Sequence, residues 1–212
     1  MPRPPRLLLS KSYYHIMTRG NNKNIVFRKE ADFQYYLYLI SRYKPEHLFD
    51  LYHYCLMPNH VHLLIRTKNA LSFSIFMKKI NLAYVHYYKN HYGWIGHFWQ
   101  GRYKSQPVGK DEYFIQCGKY IELNAVRAEL AEKPEDYKFS SYCYYAYGES
   151  NKLITKDMFY DELGKNDTER QLTYRDLIVS EFIPKKKVEK IWADKSQTHN
   201  EKQKIKYNLK NR

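Results

Sequence analysis

The sequence predicts an α+β fold, an antiparallel-rich sheet with helices packed on one face. β-favouring runs alternate along the chain with amphipathic helical stretches, and Pro, Gly or Asn clusters bound most of the runs. The length agrees: 212 residues can bury one sizeable core but are short for two full domains.

The first strand is the segment SYYHIMTRG, which carries His15 and stops at Gly20 before a polar NNKN turn. Phe33, Tyr36, Leu37 and Ile40 then recur at helical spacing, marking an amphipathic helix that ends near Pro45. A second strand spans YHYCLMPNHVHLLIRT, Tyr52 to Thr67, broken at Pro58 and resumed at His60. Pro58 suits a strand boundary, a bulge or an edge, because it cannot donate to a ladder. Residues 71 to 92 form a longer helix with Phe76, Ile80, Ala83, Tyr84 and Tyr87 on one face. HFWQGRYKSQPV follows as a further strand or hairpin.

The next helix starts near Asp111, with Phe114, Cys117, Ile121 and Ala128 on its buried face. Gln116, Tyr120, Asn124 and Arg127 make a polar stripe beside it. Strand, helix, strand, helix, strand, helix is nearest to a ferredoxin-like arrangement. Three divisions are expected: a main domain over 1–148, a helical extension over 149–184 and a basic flexible tail over 185–212.

Lys and Arg outnumber Asp and Glu by 36 to 22, a formal charge of +14, so a polyanionic partner such as DNA is favoured. The absence of an apolar run of about 18 residues argues against a membrane span. Three widely spaced cysteines make neither a disulfide framework nor a metal cage, which points to the reducing cytoplasm. Many of the 23 tyrosines sit among Lys and Arg, a mixture suited to stacking on unpaired bases while cations hold phosphates.

In a strand, residues two apart share a face, so His60 and His62 present their imidazoles side by side, a two-nitrogen platform for a metal. Asn124 can add an oxygen if its helix packs across that face, and the same packing brings Tyr120 to the edge of the site. A polarising cation beside a tyrosine hydroxyl is what phosphoryl transfer with a tyrosine nucleophile requires. Magnesium prefers oxygen ligands and imidazole suits manganese, so the donor set leaves Mg2+ and Mn2+ both open.

The motifs YHIMTRGNN, YCLMPNHVHLLI, FWQGRYKS and YIELNAVRAEL…EDYKFSSY, taken in order, resemble those of the single-tyrosine HUH transposases, in particular the REP-associated tyrosine transposases. HUH denotes His, a bulky hydrophobic residue, His: here His60, Val61, His62. The resemblance runs from about Tyr13 to Tyr147, with a similar segment reaching Ser180. It implies metal-dependent cleavage and rejoining of single-stranded DNA at or near palindromic hairpins through a 5′-phosphotyrosine. Tyr120 would be the nucleophile, and His60, His62 and Asn124 the ligands of Mg2+ or Mn2+. Arg19, Lys23, Arg28, Trp99, Arg102, Tyr103, Lys104 and Arg127 are the candidate DNA contacts. Monomer and homodimer are both open. So are two other functions, a domesticated nucleic-acid-binding protein that no longer cleaves and an HUH replication initiator or relaxase.

The chain departs from that family at two places. Ala125 stands where the family has Pro after the Asn, and Glu129 stands where it has Gly. Without the proline, the pattern lets the helix run on past Asn124.

Overall fold

The computed structural model of the chain describes residues 8–109 and 112–179. The residues up to Asp176 belong to one compact unit, and 177–179 to a second that lies mostly outside the described residues, as does the expected tail over 185–212.

Four strands form one antiparallel sheet in the order β2-β3-β1-β4: β1 Tyr13–Arg19, β2 Phe49–Met57, β3 His60–Thr67 and β4 Lys104–Val108. What reads as one interrupted strand is a hairpin, because Pro58 and Asn59 form a two-residue turn between β2 and β3. The Pro58 carbonyl accepts the N–H groups of Val26 and Phe27, at 2.8 and 3.0 Å, which ties the β1–α1 loop to this turn. Of HFWQGRYKSQPV only Lys104–Val108 is a strand; Trp99 makes an isolated bridge to Gly20.

Helices α1 (Glu30–Tyr43) and α2 (Ala70–Tyr92) cover one face of the sheet. The alternation of β3 sends Val61, Leu63 and Ile65 to that side, where they join Ile16, Leu51, Phe73, Phe76, Ile80 and Tyr84. The asparagine Asn69 caps the start of α2, and Gly93, in the left-handed region at φ 64°, ends it.

Helix α3 (Glu112–Glu122) lies against the other face, so helices flank both sides of the sheet. Phe114, Cys117 and Ile121 pack there on Tyr13, Tyr52, Cys55, Met57 and Leu64. A register shift between Leu51 and His53 turns Tyr52 and then His53 toward α3. The helix comes very close to β2: a Cβ on Gly118 would lie 2.9 Å from the His53 ring.

The helix does not run on as its sequence pattern suggests. It breaks at Leu123 (φ −80°, ψ −1°), and a short helix α4 (Asn124–Arg127) follows. The break buries Ala125 and leaves Ala128 exposed, the reverse of the expected face. Side chains replace the missing proline: the Tyr120 carbonyl accepts from Asn124 Nδ2 at 2.8 Å and Arg127 Nη1 at 3.1 Å. Beyond α4 the chain forms α5 (Tyr142–Tyr147) and α6 (Asp167–Val179).

Candidate active site

β3 sends His60, His62 and Leu64 to the α3 face, and β1 adds His15. The His60 and His62 rings lie 4.7 Å apart, nearly perpendicular. His15 stacks on His62 at 5.0 Å, and its Nε2 lies 2.7 Å from His62 Nδ1. Tyr120, from α3, closes the group edge-on to both His15 and His62, each 5.8 Å away between ring centres. Residues separated by roughly half the chain thus meet because β1 and β3 are neighbours and α3 crosses them.

Burial keeps all three rings neutral. It lowers the His15 pKa to about 4, and it lowers that of His60 to about 4 with help from Arg19 and His15. His62, the deepest, is pushed well below the ordinary histidine range by burial and then by its two histidine neighbours. A neutral imidazole is the form that binds a metal.

The proton positions can be read in part. His60 Nδ1 faces Asn59 Oδ1. The Asn59 amide nitrogen donates to the Lys23 carbonyl at 3.3 Å, so its oxygen must be the end that meets the imidazole. His60 therefore donates from Nδ1 and keeps a bare lone pair on Nε2. His62 Nε2 is buried and has no hydrogen-bond partner among the described residues.

Among the described residues no group of three or more His, Cys, Asp or Glu side chains is disposed to hold a metal ion. The donors present still suit one. An orphaned, buried imidazole nitrogen lies beside a second imidazole whose Nε2 is unprotonated, and Asn124, 9% exposed, stands on α4 four residues past Tyr120. Its nitrogen is spent on the Tyr120 and Ile121 carbonyls, which leaves Oδ1 as the atom Asn124 can offer.

Burial raises the Tyr120 pKa, and the Arg127 guanidinium, 5.2 Å from the ring centre, opposes that rise. Burial in turn lowers the pKa of Arg127. Cross-strand register places Arg19 opposite His60, and Met17 opposite both His62 and Lys104, so Arg19 and Lys104 share the face of the site.

Two candidate contacts belong elsewhere. Tyr103 is 6% exposed in the α1–α2 core, against Phe73 and with its hydroxyl 3.2 Å from Ser74 Oγ, so it is not available for stacking on a base. Trp99 packs on Phe98 and Tyr84 and donates to the Asn81 carbonyl. Lys23, at the end of a single 3-10 turn, and Arg28 and Arg102, in loops, are exposed. Neither His15 nor Asn59 has a role in the sequence reading. His15 is displaced by one strand and Asn59 by one residue from the HUH motif, and the only available signal was a polar residue inside or beside a β-favouring run.

A family model described as "Transposase IS200 like" matches residues 8–124, more than half of the chain and a span that holds His15, His60, His62, Tyr120 and Asn124. The chain belongs to the IS200-like transposase family. A transposase of this family is a DNA-cleaving enzyme by class. Among solved structures, the chain is similar to a REP-associated tyrosine transposase bound to a REP hairpin, at 17% identity and a TM-score of 0.60, over 74% of this chain and 93% of that one. That likeness shows the shared fold. A transposase of Deinococcus radiodurans R1 aligns at 18% identity, TM-score 0.32, over 64% of this chain and 98% of that one. No curated protein matches the sequence. No helix among the described residues is long and apolar enough to cross a membrane.

Proposed function

We propose that this transposase cleaves and rejoins single-stranded DNA at or near palindromic hairpins, with Tyr120 as the nucleophile. The observation that carries the reading is the contact of the Tyr120 ring with His62 and His15, on the face that also presents His60. The Tyr120 oxygen attacks the scissile phosphorus and forms a 5′-phosphotyrosine. The bond to the leaving 3′ oxygen breaks, and that oxygen takes up a proton as a 3′-hydroxyl. Rejoining is the reverse attack of a 3′-hydroxyl on the phosphotyrosine.

His60 Nε2, His62 Nε2 and Asn124 Oδ1 would hold a Mg2+ or Mn2+ ion. Bound there, such an ion would supply positive charge against the negative charge that builds up as the phosphate reacts. Arg127 favours the phenolate against the burial that disfavours it. Asn124 and Arg127 also bind the Tyr120 carbonyl, so the groups that serve the hydroxyl also fix the backbone that carries it.

The charge of +14 supports DNA as the partner, in the cytoplasm. Arg19, opposite His60 across the strands, and Arg127, over the Tyr120 ring, are two cations suited to phosphate oxygens. A cavity of about 660 Å³ beside the Pro58 turn, lined by Asn24, Arg28, Phe27 and Trp94 among others, offers rings and donors to an unpaired base. Monomer and homodimer remain the two assemblies to separate by sedimentation.

The test is a covalent adduct. Labelled single-stranded hairpin DNA with Mn2+ is expected to become linked to the wild-type protein and not to Tyr120→Phe. Binding without any adduct across many hairpin substrates would favour a non-cleaving DNA-binding protein instead.

A further inference from the structure

His15 lies outside the HUH motif, yet it makes the sole hydrogen bond among the described residues to the ring of His62, with Nε2 2.7 Å from Nδ1. Both rings are enclosed, at 7% and 2% exposure, so water does not compete for the contact. A neutral imidazole carries one N–H, and the pair has two ways to share a proton across 2.7 Å.

In the first, His15 donates from Nε2 to His62 Nδ1. The proton of His62 must then sit on its Nε2, where a buried N–H with no acceptor among the described residues blocks any cation. In the second, His62 donates from Nδ1 to His15 Nε2, and His62 Nε2 keeps a bare lone pair beside His60. The second arrangement repeats at His62 what Asn59 does at His60, where the amide oxygen takes the Nδ1 proton.

We propose that His15 is the positioning residue of the metal site, accepting the Nδ1 proton of His62 so that the Nε2 of His62 faces the cation. His15 acts through His62 and is no ligand itself. The proposal rests on the metal reading given above. Its physical basis is general: an imidazole ligand is fixed in tautomer and direction by the partner of its other nitrogen, and loss of that partner typically lowers metal affinity about 10–100-fold.

The experiment measures Mn2+ binding to the full chain without DNA, by calorimetry or by loss of the free-ion electron spin resonance signal. His15→Leu keeps bulk but removes the acceptor, and should weaken Mn2+ about 10–100-fold. In His15→Gln the amide oxygen falls near the place of Nε2 and should restore most of the affinity, which a packing role alone would not predict. Affinity for hairpin DNA without Mn2+ should be the same in all three proteins.

Wild-type affinity in His15→Leu, or no recovery in His15→Gln, would overturn the proposal while leaving the metal reading intact. Failure of the wild-type chain to bind Mn2+ would overturn both. Should either variant fold poorly, nitrogen-15 spectra of the metal-free wild-type protein decide: His62 protonated at Nδ1 supports the proposal, and His62 protonated at Nε2 sinks it.

Discussion

His53 on β2 and His62 on β3 are each 2% exposed and both face α3, but their ring nitrogens meet opposite surroundings. His62 has a neutral imidazole on one nitrogen and, among the described residues, no partner on the other. His53 has a carboxylate on each: Nδ1 lies 2.9 Å from Glu122 and Nε2 lies 3.2 Å from Asp157. Burial alone would lower the His53 pKa, but the hydrogen bonds and charges of Asp157 and Glu122 push it up to about 9. Glu122 is satisfied further by Ser141 and by Tyr174, both at 2.6 Å. One buried histidine is therefore an ion that locks the C-terminal segment to α3. The other is a neutral imidazole whose hydrogen bond is to another imidazole. Depth of burial does not distinguish them; the occupants of the two ring nitrogens do.

Exchanging one property for another should separate the two sites. The largest effect expected is on catalysis: His60→Ala or His62→Ala should lower Mn2+-dependent adduct formation by roughly three orders of magnitude, the scale of a lost several-kcal/mol electrostatic contribution. Hairpin affinity should change little, because phosphate contacts dominate it. Full cleavage by either variant would remove the pair from the metal site.

His53→Leu should do the opposite, since it leaves Glu122 and Asp157 buried without their cation. A loss of about 3–5 kcal/mol in denaturant unfolding is expected, the usual cost of removing one partner of a buried pair. An unchanged unfolding midpoint would show that the lock holds nothing.

The same contrast has a pH signature. The folded pKa of His53, about 9, lies above the ordinary value of 6.5, so its contribution is complete below about pH 6.5 and is lost as pH rises through about 9. Stability should fall by about 1.4 kcal/mol per pH unit between these values. Tyr145, which stacks on His53, and Tyr174 are both pushed well above the ordinary tyrosine range by burial and then by neighbouring carboxylates, so they do not titrate in that window. The three site histidines have lost their protons far below it. A flat profile from pH 6.5 to 9 in wild type, or an unaltered slope in His53→Leu, would refute the ionic lock.

Only one of the two histidine sites is legible in the sequence. The His60 and His62 pair follows from a period of two, and the Tyr120, Asn124 and Arg127 stripe from a period near 3.6, so both are local arithmetic. The partners of His53 lie 69 and 104 positions away, and no periodicity joins residues across such distances. The His15 contact needs the pairing of β1 with β3, which is a property of the sheet and not of either strand. Helices on both faces escape for a similar reason: the pattern of α3 shows one apolar side but not which face of the sheet it covers. The break at Leu123 escapes because Pro and Gly, the usual markers, are absent and side-chain hydrogen bonds do their work.

The smallest effect tests the corner at the end of α3, the helix that carries both Tyr120 and Glu122 and so joins the two histidine networks. The end of α4 shows why the family has glycine where this chain has Glu129. The N–H of Leu130 bonds the Ala125 carbonyl and that of Glu129 the Val126 carbonyl, each at 2.9 Å, a Schellman ending that needs a left-handed residue at Glu129. Glu129 adopts it, at φ 58°, where a side chain costs about 1–2 kcal/mol that glycine does not bear. Glu129→Gly should therefore raise stability by up to about 1 kcal/mol, the gain being reduced by the greater freedom of glycine in the unfolded chain. Because the strain sits past the last turn of α4, neither the adduct yield nor the pH slope of His53 should change. Loss of adduct in Glu129→Gly would mean that the strained ending helps aim Tyr120, and the corner would then belong to the catalytic side of the comparison.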